Sequence, residues 1–157
     1  MAPANPQADR APADTALEIH RLFKAPRAKV FNAWVDAEAL ARWWGPEGYR
    51  AKVAALEVKP GGVYRTSMTG PDGVERWVGG VFDEVVDNEK LVFSWAWEDA
   101  EAGHTGNETR VTIEFRDAPG GTEVALTHEL FESVEQRDMH RQGWTSSLVC
   151  LAEVVGA

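Results

Sequence analysis

From residue 15 to 25 the apolar residues Leu17, Ile19 and Phe23 fall at alternate positions, with Arg21 interrupting the series. That period of two predicts a strand. Pro26 then stands where a helix opens, since its missing N–H is not needed in a first turn. Val30, Phe31 and Trp34 recur at helical spacing. Asp36 is placed to cap a second short helix in which Leu40, Trp43 and Trp44 lie at i, i+3 and i+4. Gly45-Pro46 ends it. From residue 49 to 131 the period returns to two. Six runs, 49–59, 61–70, 74–86, 90–99, 109–117 and 122–131, read as strands separated by PGG, GPDG, DNE, a longer EDAEAGHTGNE stretch and APGG. Turn signals this close together predict an antiparallel meander. The Gly61-Gly62 and Gly120-Gly121 pairs suit tight hairpins, and Gly79-Gly80 inside a strand run predicts a bulge or a sharp bend. Residues 133–155 read as one long helix, with Ser133 and Gln136 as a capping box and His140, Trp144, Ser147, Leu148, Leu151 and Val155 on one stripe.

The predicted order is strand, two short helices, six strands, long helix. A curved antiparallel sheet of about seven strands needs its inner face covered, and the last helix is the cover. Such an α+β arrangement leaves room for a cavity between sheet and helix. The chain has 157 residues, 44% of them hydrophobic, which suits one domain over 15–157. Residues 1–14, rich in Ala and Pro, read as a flexible tail without the features of a secretory signal. No apolar run approaches the roughly 18 residues of a membrane span. The single thiol, Cys150, excludes an internal disulfide and fits a cytoplasmic location; its apolar helical surroundings suit a structural role. Net charge is -9, and it is uneven: residues 1–60 carry +2 and residues 61–157 carry -11. An acidic body disfavours nucleic-acid and anionic-membrane partners, which require a basic footprint.

The series AP-x3-VF-x-AW, RWWGP-x-G, KLVFSW, TEVALTHELF and H-x2-GW-x3-L-x2-L, met in this order across residues 16–156, resembles the SRPBCC, or START-like, superfamily. Within it the chain is similar to the branch of the C-terminal domain of the heat-shock-protein-90 ATPase activator and of the calicheamicin-resistance protein. The resemblance implies a helix-grip fold, an incomplete antiparallel barrel around a long C-terminal helix with a deep hydrophobic cavity. It implies ligands such as lipids, polyketides or other apolar and aromatic molecules, and cyclase activity in some members. The chaperone activator carries a separate N-terminal domain where this sequence has a short tail.

Seven tryptophans are many for 157 residues. Alternation puts Leu91, Phe93, Trp95 and Trp97 on one strand face, an aromatic wall if that face is concave and ordinary core packing otherwise. Trp77 and Phe82 lie on the preceding strand, on opposite faces if pairing is regular. His128 shares a face with Val124 and Leu126, and His140 shares the helix stripe with Trp144. The two imidazoles can meet at one cavity end, either as proton-transfer groups or as hydrogen-bonded structural residues. Arg65 and Glu57 lie between apolar neighbours and face either the cavity or solvent, since one residue of phase flips the face. No spaced His/Cys/carboxylate set points to a metal, and no GxGxxG, P-loop, GxSxG or CxxC motif points to a cofactor or an activated nucleophile.

The sequence therefore favours a protein that binds a small, largely apolar molecule. The expected site is Trp44, Trp77, Phe93, Trp95, Trp97, Trp144 and Leu148 as walls, with His128 and His140 orienting a polar group. Trp43 and Trp44, adjacent on the second helix, divide between core plug and cavity rim, because neighbouring helix residues point about 100° apart. The alternatives are a cyclase- or aldol-type enzyme in the same cavity and a chaperone co-regulator or other protein-interaction module. A homodimer stays open, two-fold dimers being the commonest oligomers.

Overall fold

The computed structural model describes residues 15–99, 104–105 and 108–156, so the stretch read as a tail lies outside the described residues. The elements are β1 (Leu17–Phe23), α1 (Arg27–Val35), α2 (Ala37–Trp43), β2 (Arg50–Leu56), β3 (Val63–Thr69), β4 (Glu75–Val86), β5 (Lys90–Asp99), β6 (His104–Thr105), β7 (Thr109–Ala118), β8 (Gly121–Glu129) and α3 (Val134–Val155). The strands form one antiparallel sheet in the order β1-β8-β7-β5-β4-β3-β2, with β6 paired to the end of β5. The architecture is α+β and of the helix-grip kind: α1 and α2 follow the first strand, and the long α3 lies against the inner face.

Local chemistry explains the boundaries. Pro26 is the N-cap of α1, and its carbonyl accepts from the Lys29 and Val30 amides. The Asp36 carboxylate accepts from the Ala39 amide and starts α2. The Ser133 hydroxyl accepts from the Gln136 amide and starts α3, and Gly156 closes it at φ +85°. After α2 the chain reverses through Gly45 at φ +99°, a conformation that favours glycine. That turn is tied to α3 by the Glu47 amide donating to Ser146 Oγ at 2.9 Å.

Inner-face residues alternate along the strands, and their burial is what the sequence pattern encodes. Thr109, Val111, Ile113 and Phe115 of β7 meet Thr122, Val124, Leu126 and His128 of β8 in a fully buried layer. The predicted irregularity of β4 falls elsewhere than expected. Pairing through Gly79 and Gly80 keeps its register, and the shift comes between Phe82 and Glu84. The two glycines instead permit close approach of neighbouring backbones: a Cβ on Gly80 would collide with the Ser94 carbonyl oxygen, and one on Gly79 with that of Tyr64. Among the described residues no helix is long and apolar enough to cross a membrane.

Two glycine substitutions separate these effects. Gly80→Ala forces apart β4 and β5 and is expected to cost about 3 kcal/mol or more. Gly61→Ala, at φ +83° in open space, is expected to cost only the left-handed penalty of about 1–2 kcal/mol. Urea midpoints of the two variants against the parent protein check the ranking.

Candidate functional site

The interior holds two connected regions, an imidazole–indole cluster under α3 and a small void beside α1 and α2. The cluster is built from β5, β7, β8 and α3. Trp144 Nε1–H donates to His128 Nδ1 at 3.0 Å. His128 Nε2–H therefore faces Thr109 Oγ1 at 2.7 Å, and the Thr109 hydroxyl donates to the Trp95 carbonyl at 2.9 Å. The indole is only a donor, so this relay fixes the neutral Nε2–H tautomer of His128. His140 is held in the opposite sense. Trp97 Nε1–H donates to its Nε2 at 2.9 Å, and its Nδ1–H donates to the Gln136 carbonyl at 2.7 Å. The two imidazoles lie 5.3 Å apart, with Phe131 against both.

Both histidines are thus neutral and fully hydrogen-bonded. Burial holds His128 well below the usual histidine range, and the neighbouring His140 adds to this. Burial also lowers His140, opposed by its bond to the Gln136 carbonyl. Each ring nitrogen has a hydrogen-bond partner, and the bonds to the two indoles tie α3 to β8 and to β5.

The space between sheet and α3 is filled by these rings. Trp144 lies 5.2 Å from Trp95 and 5.6 Å from Trp44, and it stacks on Trp34 at 6.1 Å. Leu148 is buried one turn further along α3. Open space lies instead toward α1 and α2: a void of about 20 Å³ is lined by Trp34, Leu40, Trp44, Leu56, Tyr64, Phe82, Leu91 and Phe93. Of the nine residues expected to form the site, Trp44 and Phe93 border it. Trp95, Trp97, His128, His140 and Trp144 form the adjoining cluster.

Trp77 stands apart from both. Its neighbour Val78 points into the core, so Trp77 lies on the outer face, where the Arg65 guanidinium sits 3.9 Å from its ring centroid. Arg65 also grips Glu98 with two bonds of 2.8 and 3.0 Å. Glu57 is exposed, and its carboxylate accepts from the Val63 amide. Neither Arg65 nor Glu57 reaches the interior. Trp43 and Trp44 are both buried: Trp43 donates to the Ala33 carbonyl and plugs α1 against α2, while Trp44 donates to Thr66 Oγ1 and borders the void.

The void's other lining residues were not singled out from the sequence as site residues. Trp34 and Leu40 belong to helical stripes, and Tyr64 shares its inward phase with Thr66 and Met68; those phases were the available signal. Among the described residues no group of three His, Cys, Asp or Glu side chains is arranged to hold a metal ion.

The sequence model of the family described as "Activator of Hsp90 ATPase homolog 1-like protein" matches residues 24–156. Solved structures of the same fold include a protein from Chromobacterium violaceum, 26% identical, with a TM-score of 0.83 over 91% of this chain and 98% of that one. The AHSA1 protein from Silicibacter pomeroyi is 30% identical, with a TM-score of 0.78 over 88% and 95%. A protein from Arthrobacter aurescens is 26% identical, with a TM-score of 0.81 over 91% and 87%. No curated protein matches the chain.

The histidine cluster makes stability pH-dependent. With both folded pKa values lowered, the unfolded chain binds protons near its ordinary value of about 6.5 while the fold still refuses them. Stability is therefore full above about pH 6.5 and falls below it, toward the depressed folded values, by at most about 1.4 kcal/mol per pH unit per histidine. Urea midpoints between pH 7.5 and 5 check this, and His140→Gln is expected to flatten the slope.

Proposed function

The chain belongs to the activator of Hsp90 ATPase homolog 1-like family, and from that premise we propose that it binds a small, largely apolar molecule inside the fold. The reading rests on the void at Trp34, Leu40, Trp44, Leu56, Tyr64, Phe82, Leu91 and Phe93. Its lining is aromatic and aliphatic, so transfer of apolar surface from water would drive occupancy. Family membership supports it, since helix-grip proteins of this superfamily bind hydrophobic ligands.

At about 20 Å³ the void holds roughly one water, whereas ligand pockets run to a few hundred cubic ångströms. Binding thus selects a state in which one wall moves outward. The wall suited to move consists of α2, only seven residues long, and β2, which pairs on one side only and carries a register shift between Val53 and Ala55. Half-buried Leu56 ends that strand.

Binding is favoured over catalysis because both interior imidazoles have their nitrogens engaged. A chaperone partner of the kind the family description names calls for a broad exposed apolar face. Among the described residues the exposed large apolar side chains fall in small groups instead, with Leu22 on β1, Val63 and Val81 on the outer sheet face, Tyr49 and Val74 beside the β3–β4 turn, and Leu130, Val134 and Met139 around the start of α3. We place the protein in the cytoplasm on the strength of its single, unpaired thiol, Cys150.

Native mass spectrometry of the purified protein, together with thermal unfolding in the presence of the bicyclic hydrocarbon tetralin, tests the reading. A bound apolar molecule is expected, or a rise in Tm of about 5 °C or more at saturating tetralin. Leu56→Trp, which fills the mouth of the void, is expected to weaken that effect at least about tenfold in ligand concentration. The absence of both a co-purified molecule and any thermal shift would sink the proposal.

A further inference from the structure

Each buried indole in the interior has an N–H that must find an acceptor, because that group can only donate. Trp43, Trp44 and Trp144 find one in the Ala33 carbonyl, Thr66 Oγ1 and His128 Nδ1, and half-buried Trp97 finds His140. Trp34 and Trp95 do not: Nε1 of each is buried and without a hydrogen-bond partner. Both residues are at least nine-tenths buried, at 3% and 4% exposure. An orphaned donor costs about 1–3 kcal/mol, and here two sit in one cluster, both against Trp44 and Trp144. Trp34 also borders the void.

The chemistry of the lining defines what complements them. Tyr64 already donates its hydroxyl to the Ser94 carbonyl at 2.6 Å, and burial keeps that phenol protonated by pushing its pKa well up. The remaining lining side chains are Leu, Phe and Trp, with no cation and no carboxylate among them. A ligand anion would be buried without a counter-charge, and a ligand donor would find few acceptors. A neutral oxygen acceptor on an apolar ring body meets neither penalty and satisfies a donor left unpaired without it.

We infer, on the basis of the binding function proposed above, that the interior site takes a neutral cyclic molecule carrying a carbonyl or ether oxygen, held by Trp34 Nε1–H. The site selects acceptor-bearing apolar rings over the corresponding hydrocarbons and over acids and amines.

The test compares 1-tetralone with tetralin, matched in size and differing in one ketone oxygen. Affinities come from thermal shift, and the hydrogen bond is read from the indole N–H signals of ¹⁵N-labelled protein. The expected result is tetralone binding about tenfold more tightly, as one satisfied buried donor implies, with the Trp34 indole proton moving downfield for tetralone and not for tetralin. Trp34→Phe is expected to bring the two affinities together. Should that variant fail to fold, the indole signals of the parent protein decide. Equal affinities with an unmoved Trp34 signal would overturn the acceptor inference while leaving the binding function standing. Failure of both probes to bind would overturn the binding function and this inference with it.

Discussion

The hydrogen bond from Trp144 to His128 fixes more of this molecule than any other single contact. It joins α3 to β8, and through Thr109 it continues to the Trp95 carbonyl, so one relay crosses α3, β8, β7 and β5. Every member is buried, and a broken link would strand a polar group in the core at a cost of about 1–3 kcal/mol. The same bond decides chemistry. An indole donating to Nδ1 demands a neutral imidazole, because that nitrogen must keep its lone pair. The two imidazoles together tie α3 to β8 and β5.

Seating α3 this way has a spatial consequence. Trp95, Trp97, Trp144, Phe131 and the two imidazoles pack ring against ring under the first half of α3. Unfilled volume is pushed toward α1 and α2, where the packing surface is made by Trp34, Leu40 and Trp44 against the inner faces of β2–β5. The Gly45 turn and the bond from Glu47 to Ser146 hold the end of α2 to α3. The relay and the void thus share one boundary, the ring of Trp44, which touches Trp34 on one side and Trp95 on the other.

Much of this was legible in the sequence because it follows from local rules. Periods of two and 3.6, the caps at Asp36 and Ser133, and the glycine turns define the elements and their order. The inward phase of Phe93, Trp95 and His128 follows from strict alternation, and the helix stripe that His140 shares with Trp144 turns it toward the same interior. Trp77 illustrates the limit. It is as apolar as its neighbours, yet alternation about Val78 sends it outward, where Arg65 covers its face; that was readable only once the phase of β4 was known. The position of the void was not legible at all. It depends on which rings pack closely in three dimensions, and residue spacing along one strand carries no record of the element facing it. Nor could the sequence tell a bonded histidine from a free one, since the deciding partners, Thr109 and Gln136, have no motif.

Two buried indole N–H groups without acceptors are hard to reconcile with a core that satisfies the others by carbonyl, hydroxyl and imidazole. A core under selection for stability alone could replace either indole by Phe and lose the unpaired donor. Keeping Trp there is reasonable if the donor is used in a state other than the empty one, and sites that break a local rule are where function is expected. The neighbouring wall is consistent with such a state. The edge strand β2, paired on one side only, can shift more readily than the β7–β8 layer, which is buried and hydrogen-bonded throughout. One half of the molecule is thus fixed by its polar relay, and the other keeps an unsatisfied donor beside a movable wall. That division of rigidity and vacancy is what a protein needs if it is to open for an apolar guest and close around its one polar atom.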